Sequence, residues 1–177
     1  MYALLLAIAL ILSTAGYLEA RVNMTQPQAI QTAFQDSPVE RKTAFLTAAQ
    51  IKQIESLAGV KTTSSIVCYY VGKGSSGPTG IAFFDRRIVR TMPVTYMVVV
   101  KPSGILDRVE ILSFEEPDDY FPTPRWLQLY RNRALNNHLE IGQDIPHITG
   151  ASLTSQTMND GIRLALATFQ VAVKNTL

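Results

Sequence analysis

The chain opens with an almost wholly apolar segment, residues 1–18, unbroken from 4 to 12. It is shorter than the about 20 residues a bilayer span requires, and its n-region has no Lys or Arg. It reads as a signal-peptide core ending near Ser13-Thr14-Ala15 or Leu18-Glu19-Ala20, or as an uncleaved anchor. Residues 26–59 then read as helical. Pro27 suits a first turn, and Ala29, Ile30, Ala33 and Phe34 share one face. Asp36-Ser37-Pro38 interrupts the pattern. Thr47 and Gln50 have capping-box spacing ahead of Ile51, Ile54, Leu57 and Ala58, and Gly59 is a natural stop.

From residue 64 to 114 the period falls to two. Strands are expected over 65–71, 80–84, 96–100 and 106–114, with 96–100 central because it is continuously apolar. Pro102-Ser103-Gly104 closes the last two into a hairpin. In 106–114, Val109, Ile111 and Ser113 fall on one face, and Arg108, Glu110 and Leu112 on the other. Gly72-Lys73-Gly74-Ser75-Ser76-Gly77-Pro78 reads as a flexible connection, and Asp85-Arg86-Arg87-Ile88-Val89-Arg90 as a solvated turn with an exposed edge. A short helix holding Trp126, Leu127, Leu129 and Tyr130 follows Pro122 and Pro124. Over 154–176, Met158, Ile162, Ala165, Leu166, Phe169 and Val173 recur at helical spacing. Gly161 interrupts that face with a residue small enough for close packing. The pattern predicts an α+β class: one domain, an antiparallel sheet flanked by helices.

Composition narrows the chemistry. A length of 177 residues with 47% hydrophobic content supports one real core. Lys and Arg number 16 against 14 acids, too small an excess to suggest nucleic acid. Cys68 is the only cysteine, which excludes an internal disulfide. Its apolar neighbours suggest a small core residue. His138 and His147 are the only histidines and form no metal-site spacing. The glycine loop has neither the P-loop form nor Gly-x-Gly-x-x-Gly.

One stretch stands out. Thr149-Gly150-Ala151-Ser152-Leu153-Thr154, followed by Ser155, sits at the start of the last helix. Hydroxyls there serve as ordinary N-caps, and the unpaired N–H groups of a helix start also suit a phosphate. The stretch resembles the Ser/Thr-Gly-Ala-Thr/Ser-x-Thr motif of the FMN-binding domain family. That family includes the covalent-flavin subunits of the sodium-pumping NADH:quinone oxidoreductase and of the Rnf complex. The resemblance implies an FMN-binding domain over 26–177 behind a leader or anchor at 1–20. It makes Thr154 the covalent FMN carrier, through a phosphoester. Thr149, Gly150, Ala151, Ser152, Leu153 and Ser155 then surround the attachment point.

Two further segments resemble the family. Ser113-Phe114-Glu115-Glu116-Pro117 and Arg125-Trp126-Leu127 match a glutamate loop and tryptophan near the flavin, so Glu116 and Trp126 are site candidates. A solvated loop and core packing are their plain alternatives. Phe84-Asp85-Arg86-Arg87-Ile88-Val89-Arg90-Thr91 matches a family segment that often has His where Arg87 stands. The family also places Asp three residues before the motif, where this chain has Pro146; the nearest acid is Asp144.

The resemblance implies a magnesium-dependent flavin transferase as maturation partner, a membrane-associated redox partner and an extracytoplasmic, periplasmic or membrane-anchored location. The function expected is electron transfer rather than turnover of a small substrate. A non-covalent FMN sensor or assembly module is the alternative, and a ligand-free interaction protein using the sheet face is a third.

Overall fold

The computed structural model describes residues 21–177, so the apolar segment at 1–18 lies outside the described residues. The chain runs β1 (Arg21–Val22), α1 (Gln26–Phe34), β2 (Val39–Phe45), α2 (Ala48–Ala58), β3 (Ile66–Gly74), β4 (Gly77–Ile88), β5 (Pro93–Val100), β6 (Leu106–Phe114), α3 (Pro124–Leu127) and α4 (Ser152–Thr168). The strands form one sheet in the order β1-β6-β5-β4-β3-β2, with every neighbouring pair antiparallel. The expected α+β architecture in one domain is the one observed.

Local signals explain the two early helices. Thr25 and Gln28 cap α1 reciprocally, and Thr47 and Gln50 do the same for α2. Each box satisfies N–H groups that a helix start leaves orphaned. Gly59 ends α2 in the left-handed conformation at φ 71°.

The sheet is covered on both faces. On one, Tyr96, Val98 and Val100 of β5 pack with Met158, Ile162, Leu166 and Phe169 of α4 and its extension. On the other, Met97 and Val99 meet Ala29 and Phe34 of α1. This double burial is why β5 reads as a continuous apolar run. A smaller cluster joins Ile54 and Ala58 of α2 to Ala167 of α4. Beyond Thr168 the helix continues through a π turn, Phe169–Val173.

Five expectations need correction. Residues 26–59 are not helical throughout: β2 lies between the helices, an edge strand whose charges at Glu40, Arg41 and Lys42 hide the alternation. Asp85 to Ile88 is not a turn but the end of a 12-residue β4, paired along its length with β5. Gly72 and Gly74 belong to β3 rather than to a loop. Cys68 is exposed, because it points to the face that α1 leaves uncovered at this edge. A bulge at Leu112 also shifts β6, so Phe114 rather than Ser113 joins Val109 and Ile111 in the core.

Candidate functional site

The last helix begins without a side-chain cap. Its N-cap is Ala151, and no acid lies in its first turn. Gly150 precedes it at φ 78°, a conformation that disfavours any residue with a Cβ. Ser155, a buried hydroxyl in the first turn, is used elsewhere. Its Oγ accepts from the Ile148 N–H at 2.8 Å and donates to the Ala151 carbonyl at 3.1 Å. The α4 start therefore keeps N–H groups without a side-chain cap, whereas α1 and α2 each carry a capping box; none of the three has an acid in its first turn.

The loop before it is pinned from the other side. Trp126 Nε1 donates to the Pro146 carbonyl at 2.8 Å. The indole is buried and meets Tyr130 edge-on, with centroids 5.3 Å apart. Tyr130 donates to Asn159 Oδ1 at 3.0 Å, and Asn159 Nδ2 donates to Glu140 at 3.1 Å. Trp126 thus packs as core and also braces the motif loop. At Pro146, where the family resemblance leads one to expect an acid, the chain supplies a backbone acceptor.

Within the motif the exposures divide. Thr149, Gly150 and Ser152 are exposed, and Leu153 is 54% exposed. Ala151 and Ser155 are buried, and Thr154 is only 1% exposed. The candidate carrier side chain is therefore covered in this conformation.

The site's position follows from α4. A Cβ on Gly161 would lie 1.6 Å from the Tyr96 hydroxyl and 2.8 Å from Arg87 Nε. Farther along, the Phe169 ring lies against Gly104 in the β5–β6 turn. The start of α4 hence points toward the opposite end of the sheet, which carries the 89–92 turn between β4 and β5. Ile88, Met92 and Leu153, all exposed, lie toward this end.

Glu116 is at the same end but has a different task. Its Oε1 accepts the N–H groups of Arg90, Thr91 and Met92 at 2.9, 2.8 and 2.9 Å. Burial raises its carboxyl pKa. The three N–H donors and the Arg90 charge outweigh that, holding it below the ordinary glutamate value. The carboxylate organises the 90–92 turn and makes no hydrogen bond to the motif. Arg90 in turn reaches the Tyr120 hydroxyl at 3.0 Å and stacks over its ring.

Sequence reasoning missed the polar cluster under Gly161. Asp85 Oδ2 accepts from the Tyr96 hydroxyl at 2.9 Å and from Arg87 Nε at 2.6 Å. Burial and the nearby Asp85 push the Tyr96 phenol well above its usual range, so it remains a donor. No local signal could have found it: strand alternation puts Asp85, Arg87 and Tyr96 on one face, but only the packing of α4 over that face brings them together. A second miss is Arg163, buried in α4. Its guanidinium donates to the carbonyls of Leu57, Ala58, Asn136 and Leu139.

Among the described residues, no group of three or more His, Cys, Asp and Glu side chains could hold a metal, and no helix is long and apolar enough to cross a membrane. A cavity of about 730 Å³ follows the outer edge of β6 beside Phe121, Pro124 and Arg131, and no motif residue lines it.

No family model matches the sequence, and no curated protein sequence matches it. Among solved structures, the chain is similar to the crystal structure of NqrC from Shewanella oneidensis. The two share 16% identity over 87% of this chain and 90% of that one, with a TM-score of 0.55. At this identity the likeness establishes a shared fold.

Proposed function

We propose that the chain is an extracytoplasmic electron-transfer flavoprotein carrying FMN as a phosphoester on Thr154. The observation that carries the proposal is the complete motif from Thr149 to Thr154, seated on a helix start with no cap and no acid. The NqrC-like fold points the same way, since the motif resembles that of the covalent-flavin subunits of the sodium-pumping NADH:quinone oxidoreductase.

The residues present fit a bound FMN phosphate. The first-turn N–H groups of α4 face an anion, and Gly150 removes the side chain that would block its approach. The single negative charge of the phosphodiester placed there gains about 0.3–1 kcal/mol from the helix end, more if partly buried. FMN, once bound, supplies one- and two-electron chemistry. Leu153 offers apolar surface to its ring system, with Ile88 and Met92 toward the same end. Trp126 and Ser155 hold the loop that positions the attachment point.

Attachment itself belongs to a partner. No His–acid pair activates Thr154, and a flavin transferase would catalyse the exchange. The Thr154 hydroxyl attacks the FMN-side phosphorus of FAD, the bond to AMP breaks, AMP leaves, and the hydroxyl proton passes to a base of the transferase. Because Thr154 is covered, the exchange requires its hydroxyl to become exposed. The mature protein would then relay electrons between membrane-associated partners.

Co-expression with a flavin transferase tests this directly. Wild-type protein should gain the mass of one FMN less water and stay yellow after denaturation. Thr154→Ala should gain nothing. An unmodified wild type would sink the covalent reading. The burial of Thr154 and the presence of Pro146 favour one alternative, a non-covalent FMN module for sensing or assembly. Yellow colour lost on denaturation and filtration would select it.

A further inference from the structure

The sheet is not continuous at its β2 end. β3 pairs with β2 from Ile66 onward, but with β4 only from Tyr69 onward. On the other side, residues 84–88 of β4 pair with β5 alone. The start of β3 and the end of β4 therefore diverge and leave a notch through the sheet. A cavity of about 460 Å³ fills it, a size within the range of small-ligand pockets.

Its lining comes from distant parts of the chain: Arg41 of β2, Cys68 of β3, Phe84, Asp85 and Arg87 of β4, and Gly161 of α4 at the floor. The charges do not balance. Two cations, Arg41 and Arg87, face one carboxylate, Asp85. That carboxylate is already engaged by Arg87, Tyr96 and the Arg86 N–H. Arg87 spends Nε on Asp85 and Arg41 spends one nitrogen on Cys68 Sγ at 3.0 Å. A guanidinium carries five donors, so each retains capacity for an anion. The remaining lining is mixed, with Thr63 and Ser64 beside an apolar, partly aromatic side where Phe84 is edge-on to Tyr70 at 5.5 Å and Ile66 is 52% exposed.

We propose that this notch is a ligand site for a small anion carried on a planar apolar body, such as an aryl carboxylate or aryl phosphate. The anionic group sits between Arg41 and Arg87, and the body lies against Phe84 and Ile66. The site is independent of the flavin reading. Its floor residue Gly161 is seven positions beyond Thr154, about 10 Å along the helix.

Cys68 supplies the test, because it is exposed, lines the notch and is the only thiol. In the Thr154→Ala protein, which cannot carry the covalent flavin, the rate of Cys68 alkylation by iodoacetamide is followed by intact mass. Benzoate should slow it saturably and neutral benzamide should not. Phenyl phosphate protecting at lower concentration than benzoate would identify a phosphate ligand; the reverse order would identify a carboxylate. Arg41→Gln, on an exposed edge strand, should weaken protection about tenfold, as expected for one lost charge-assisted hydrogen bond. Arg87→Lys should weaken it as well, since the fork geometry is lost. No saturable protection by either anion would overturn the proposal. So would equal protection by benzamide, or protection unchanged in both variants.

Discussion

Gly161 decides how closely α4 approaches the sheet. Its missing Cβ leaves room for the Tyr96 hydroxyl, and that hydroxyl links the strand to Asp85. Gly161→Ala should therefore destabilise the fold by about 1–3 kcal/mol through overpacking, despite alanine's better helix propensity. In a Tyr96→Phe background the clashing oxygen is gone, so the same change should cost less. Urea denaturation of the four proteins in this cycle measures the difference, and additive costs would show that Gly161 does not act through Tyr96. Glu116 makes a pH-dependent contribution at the same scale. Its folded pKa is depressed, so the stability it contributes is fully present above the ordinary glutamate range and lost as pH falls through its folded value. Glu116→Gln should flatten the acid limb of the stability–pH curve and weaken the 90–92 turn. An acid limb unchanged by the substitution would mean that other carboxylates set it.

Among the elements, what was legible in the sequence was local. The capping box at Thr47 and the stop at Gly59 need only neighbouring residues, and the structure has both; the box at Thr25 is an equally local signal that sequence reasoning missed. β6 matched the expected bounds, set by the turn before Leu106 and the acidic run after Phe114, although bulges at Asp107 and Leu112 break its alternation. β2 was illegible because an edge strand with three consecutive charges has no apolar period to read. The end of β4 was misread for a related reason: Asp85 and Arg87 look solvated until Tyr96 and α4 are brought over them, a tertiary fact. The motif at 149–154 was visible as a string, but the burial of Thr154 and the diversion of Ser155 to Ile148 were not. The Trp126 bond to Pro146 belongs to this class too, joining α3 to the motif loop across 20 positions. Trp126→Phe keeps a benzene ring but removes the donor and part of the buried indole. It should cost about 1–3 kcal/mol in stability. It should also raise amide exchange across 146–151 and change the rate of flavin transfer to Thr154. Unaltered exchange there would show that the indole is core alone.

Across the whole molecule, the two faces of the sheet are held differently. One face is closed by α1, a nine-residue helix with its own capping box. The other is closed by α4, buried on most of its circumference, with α2 packed behind it. α2 has no basic residue in its last turn, so nothing on the helix itself offsets the negative end of its dipole. Arg163 does so from α4. It donates to the terminal carbonyls of Leu57 and Ala58, to Asn136 and Leu139 in the loop leading to the motif, and lies 3.3 Å from Glu140. One side chain therefore ties the second helix, the 136–140 loop and the site-bearing helix together. Arg163→Met preserves much of the volume and removes every donor, stranding the carbonyls of Ala58 and Leu139, which it holds through buried bonds. The expected cost is about 3 kcal/mol or more. The loss should also be ordered in space. Native-state hydrogen exchange should show the last turn of α2 and the 136–140 loop losing protection first, while β4, β5 and α1 keep theirs until global unfolding. A uniform loss of protection across the sheet would mean that Arg163 stabilises the core as a whole rather than the joint between α2 and α4.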